Sequence, residues 1–114
     1  MQLLLLVLNE VELLDPLLEA MMAGGVRGAT ILNSTGMARE LVSKHEDYPF
    51  FGTLRILLDP DREESKTVFM VVKEEEVPHV KEVIRSVVGD LTKPDTAVLF
   101  TLPVIDVEGI GSVE

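Results

Sequence analysis

Residues 3–25 read LLLLVLNEVELLDPLLEAMMAGG, and residues 68–89 read VFMVVKEEEVPHVKEVIRSVVG. Each stretch begins with an unbroken apolar run of strand length. In the first, residues 3–8 form that run, and Asp15-Pro16 then opens a helix. Asp suits a cap for free amides, and Pro tolerates the first helical position. Leu14, Leu17, Leu18, Met21 and Met22 recur at spacings of three and four, which marks one apolar helical stripe. Gly24 and Gly25 end the helix. In the second stretch, residues 68–72 are the strand. Glu74, Glu75 and Glu76 sit where negative charge favours a helix start, with Pro78 in the first turn. Val80, Val83, Ile84, Val87 and Val88 form the stripe, and Gly89 stops it. Adding 66 to the first stripe gives the second, which predicts two copies of one unit.

Working outward, residues 29–32 and 97–104 supply a closing strand to each unit. A duplicated strand–helix–strand unit is the plan of the α+β ferredoxin-like sandwich, an antiparallel sheet with two helices on one face. The strands are almost unbroken in apolarity, whereas an uncovered sheet face would alternate with polar residues. The second face is therefore expected to be buried as well, against further copies of the chain.

The 114 residues fit a single domain, with an insertion at residues 37–65. Within the insertion, residues 53–58 read as a strand and Asp59-Pro60-Asp61 as a turn. Residues 37–51 show no period. The cluster Tyr48-Pro49-Phe50-Phe51 reads either as a partner-binding tip or as rings tucked onto the body.

The net charge of −10 argues against nucleic-acid binding and against anionic membrane surfaces. Cysteine is absent, which excludes disulfides and thiolate metal sites and fits a reducing compartment. The opening MQLLLLVL lacks a basic flank and is too short to span a bilayer, so it reads as a buried strand of a cytoplasmic protein. His45, Glu46 and Asp47 are adjacent and read as a solvated loop rather than a metal site. The acids Asp59, Asp61, Glu63 and Glu64 lack the glycine and closing glutamate of a calcium loop. No nucleophile–base pair stands out.

In order and spacing, the chain resembles the PII family of nitrogen-regulatory signalling proteins. MQLLLLVLNEVELLDPLLEAMMAGGVRGATI resembles that family's opening strand, helix and Gly-x-Thr strand. STGMAR at 34–39 resembles the hinge from which its T-loop departs, and VFMVVKEEEVPHVKEVI and VLFTLPV its later elements. The resemblance implies a homotrimer with small-molecule clefts between subunits, acting by binding rather than as an enzyme. It also implies a loop that docks on a target protein, either a transporter or an enzyme. It places Gly28 and Thr30 beside a ligand and Gly36, Met37, Ala38 and Arg39 at the loop base; Gly89, Asp90 and Lys93 lie slightly upstream of the family's phosphate-side segment and would substitute there only with the loop rebuilt. Tyr48, Phe50 and Phe51 would belong to the partner loop.

The implied cofactor is an adenine nucleotide, but its phosphate-binding residues are largely missing. Asp95, Thr96, Ala97 and Val98 stand where the family has Gly-Asp-Gly-Lys, and residues 107–112 lack the family's arginines. A triphosphate needs charge-assisted donors or amide nests. The sequence therefore favours a divergent member that takes a less charged ligand, such as a cyclic dinucleotide, or none. Two alternatives are a metal-tolerance or enzymatic protein on a similar trimeric scaffold, and a purely structural oligomer.

Overall fold

A computed structural model describes residues 1–44, 64–93 and 96–109. The elements are β1 (Gln2–Leu8), α1 (Leu14–Ala23), β2 (Thr30–Ser34), α2 (Met37–Lys44), β3 (Ser65–Val72), α3 (Val77–Val88) and β4 (Ala97–Pro103). The strands form one antiparallel sheet in the order β2-β3-β1-β4. The fold is ferredoxin-like: two β-α-β units interleave so that β1 and β3 lie at the centre.

The apolar run at the start takes the most buried place. All seven residues of β1 pair with β3 on one side and β4 on the other. Leu4, Leu6 and Leu8 are buried, while Leu3, Leu5 and Val7 are half-buried. This period of two divides the sheet into a helix-covered face and a far face. On the covered face, Val68, Met70, Val72 and Ala97 join the three leucines. Leu17 and Met21 of α1 and Val80, Ile84 and Val88 of α3 complete that core. Each fully buried side chain of this size contributes roughly 1.5–3 kcal/mol relative to exposure.

Both helices begin alike. Short 3₁₀ turns over Val11–Leu13 and Glu74–Glu76 run directly into α1 and α3. Pro78 lies in the first turn of α3, where its missing N–H costs nothing. Asp15 does not cap α1: Leu13 occupies the cap position and no side chain bonds there. The preceding 3₁₀ turn already delivers the chain in helical geometry, leaving Asp15 exposed in the first turn, where its charge favours the helix dipole. Gly25 and Gly89 have φ of +96° and +79°, the left-handed conformation that ends each helix.

The duplication is present with a different register. The 3₁₀ turns and the helix starts lie 63 residues apart, so Leu17 and Met21 correspond to Val80 and Ile84. The offset of 66 is one helical turn out. An amphipathic stripe slid by three residues still shows spacings of three and four, so periodicity alone cannot choose between registers. Met22, placed in the stripe by that reading, is 75% exposed.

The second difference is α2. Residues 37–44 are helical, with Glu40 N–H donating to Gly36 O at 2.9 Å, although the sequence shows no period there. Two turns hold only the apolar pairs Met37–Leu41 and Ala38–Val42 at a spacing of four, too few repeats to register as a stripe. The strand and turn expected at 53–61 lie outside the described residues, as does the cluster Tyr48, Phe50 and Phe51.

Candidate functional site

The glycine-dense run 24–28 connects α1 to β2 and shapes one wall of an open groove. Gly24 lies where α1 meets α3: a Cβ there would sit 2.9 Å from Val83 Cγ2. Glycine thus lets the helices approach closely. His79 Nε2 donates to Gly24 O at 2.9 Å, tying the first turn of α3 to the end of α1. Val26 N–H donates to Met21 O at 2.9 Å, which turns the chain away from the helix.

Opposite that wall is the end of β3. The ladder from β2 reaches β3 only over residues 65–69, while β1 pairs with β3 through residue 72. Among the described residues, the β2-side edge of residues 70–72 has no ladder partner. The groove between the two walls has a volume of about 730 Å³, within the range of ligand pockets. Val26, Arg27, Thr30, Val71, Glu76 and His79 are among its lining residues. It combines apolar side chains, two cation-capable groups, one carboxylate and unpaired strand backbone.

Of the residues expected from the sequence, Gly28 and Thr30 line this groove. Gly36, Met37, Ala38 and Arg39 lie at the other end of β2, where Ser34 pairs with Ser65. Gly89, Asp90 and Lys93 follow α3 and precede β4. Ala97 pairs with Leu8, and Leu8 with Lys66, so that loop shares the sheet end with Gly36. It lies at the opposite edge, however, three strand spacings or about 14 Å away. One subunit does not bring the three groups together.

Just after α3, Asp90 Oδ1 accepts from Thr92 Oγ1–H at 2.6 Å and from Thr92 N–H at 2.9 Å. These two bonds, the hydroxyl first, hold the Asp90 carboxyl below its ordinary range, with Lys93 assisting. The loop is an exposed Asx-type turn with its carboxylate already engaged.

Sequence reasoning assigned no site role to Arg27 or His79. His79 is exposed but is also hydrogen-bonded to Gly24 O. The usable signal was the unequal length of the facing strands, invisible without their register. A hydroxyl cluster was also missed: Ser34 Oγ lies 2.7 Å from Ser65 Oγ and 2.8 Å from Thr67 Oγ1. It satisfies the buried Ser65 on the far side of the β2–β3 edge.

Among the described residues, α1 and α3 pack on one face of the sheet and leave the far face uncovered. By register its apolar residues are Leu3, Leu5, Val7, Leu32, Phe69, Val71, Val98, Phe100 and Leu102, with Thr30, Ser34, Ser65 and Thr67 on the same face toward the β2–β3 edge. Leu32, Val98, Phe100 and Leu102 are between 42 and 51% exposed. Among the described residues, no helix is long and apolar enough to cross a membrane.

No family model matches the chain, and no curated protein matches it. Among solved structures, it is similar to a functionally unknown protein from Pediococcus pentosaceus ATCC 25745. The two are 19% identical, with 95% of each chain covered and a TM-score of 0.61. That likeness supports the ferredoxin-like fold.

Proposed function

We propose that the protein is a PII-like regulator, a homotrimer that senses a small molecule in clefts between subunits and signals to a target protein. The observation that carries this reading is the uncovered apolar sheet face. Four strands of about seven residues span about 19 Å by 23 Å, roughly 440 Å². A face of that size sits within the range of functional apolar patches, and self-association removes it from water.

Assembly also accounts for the scattered ligand residues. Gly28, Thr30 and residues 36–39 belong to the β2 edge, whereas Gly89, Asp90 and Lys93 lie toward the β4 edge. Joining the β2 edge of one subunit to the β4 edge of the next would bring them into one cleft. The ligand class is an adenylate with few charges, because the cations in these segments are limited to Arg39 and Lys93 at the loops and Arg27 in the groove. The role is binding, with the insertion at 37–65 as the transmitter.

Titration calorimetry of the purified protein against ATP, ADP, AMP and cyclic dinucleotides tests the sensing role. The expected result is saturable binding of a weakly charged adenylate, with ATP weaker. Silence from all four would remove that role and leave the fold in place.

A further inference from the structure

We propose that residues 104–109 of one copy dock as an added strand on the open β3 edge of a second copy, along the β3 wall of the groove there. This rests on the oligomeric reading above and is independent of any ligand. The segment leaves β4 with one sheet contact, Val104 N–H to Met1 O at 3.1 Å. Beyond it, Ile105 is fully exposed, Val107 is 37% exposed, and Asp106 and Glu108 are exposed. Ile-Asp-Val-Glu alternates apolar and acidic residues with period two and is rich in β-branched side chains. That is the pattern of a half-buried strand, yet it belongs to no strand here.

The groove offers what such a strand lacks. Residues 70–72 have no β2 partner, so their outer edge can extend the ladder. Val26 and Val71 provide apolar contact for Ile105 and Val107, and Arg27 and His79 face the acidic alternate positions. Glu76 is the one opposing charge in the lining.

A second copy is the occupant because the chain's own segment cannot reach productively. From β4, the groove side of β3 lies three strand spacings away, about 14 Å. Crossing it consumes about four residues at roughly 3.5 Å each, which uses up Val104 to Val107 and leaves neither Ile105 nor Val107 to lie along residues 70–72. The area needed points the same way. The far face alone gives roughly 440 Å², whereas a stable interface buries about 800 Å² per partner, so assembly requires a further contact.

The absence of cysteine permits a direct test. Two double variants, Val71→Cys with Ile105→Cys and Val71→Cys with Val107→Cys, cover both strand registers. Oxidation is followed on non-reducing gels, with the three single variants as controls. The expected result is a covalent ladder at two and three times the chain mass in at least one double variant, absent from all single variants. Disulfide confined within one chain, or none in either double variant while sedimentation still shows the assembly, would overturn the docking but not the oligomer. In a second arm, Ile105→Asp should raise the dissociation constant of the assembly at least tenfold with an unchanged circular dichroism spectrum. An unchanged constant would also overturn it.

Discussion

Replacing Gly24 by alanine isolates the helix–helix contact that sets the groove wall. The φ and ψ of Gly24 are −83° and 2°, a conformation alanine adopts without strain, so the effect must come from space. The new Cβ would lie 2.9 Å from Val83 Cγ2 and 3.3 Å from Ala20 O. Ordinary carbon contacts lie near 3.5–4.0 Å, so α1 and α3 must part by several tenths of an ångström or more. Overpacking of this kind costs typically 1–3 kcal/mol. Loss of unfolded-chain freedom on removing glycine returns about 0.4–1 kcal/mol. The net expectation is a destabilisation of about 1 kcal/mol, or a fall in Tm of about 5 °C for a chain of this length. Thermal unfolding followed by circular dichroism at fixed protein concentration reads it directly. Adding Val83→Ala removes the clashing methyl, so the pair should be less destabilised than the sum of its members. A Tm that rises in Gly24→Ala, or strict additivity in the double variant, would refute the close-approach argument.

Two further outcomes follow from the core and from the loop before β4. Ile84→Ala, at a fully buried position, should lose about 3 kcal/mol in urea unfolding with an unchanged slope; a loss under 1 kcal/mol would place Ile84 outside the core. The Asp90 carboxyl should titrate below ordinary aspartates by NMR, because Thr92 bonds favour its charged form. A depressed folded value means that the contribution is present above the unfolded value and is lost as pH falls through the folded one. Thr92→Ala should move the titration upward; an unmoved midpoint would contradict the assigned cause.

Much of the fold was legible because its signals are local. The run at 3–8, the stripe through Leu17 and Met21, Pro78 and Gly89 each act within a few residues, and together they specify the duplicated sandwich. What escaped depends on register or on length. The stripe repeats every turn, so the sequence could not choose an offset of 63 over 66, and it wrongly enlisted Met22. Residues 37–44 are too few to display a period, although Ala38, Arg39, Glu40 and Leu41 favour helix individually. At the groove, Gly28 and Thr30 were placed beside a ligand only by the resemblance, whereas Arg27 and His79 were given no site role. Their grouping arises only because β3 outruns β2, a fact of pairing that no single strand encodes.

Sedimentation equilibrium of the unmodified protein at micromolar concentration tests the central claim most directly, with Phe100→Asp/Leu102→Asp as its partner sample. Burial of the far face predicts a mass of three chains for the first and a shift toward single chains for the second. A folded single chain in the unmodified sample would contradict the account, because an apolar sheet face would then stand stably in water.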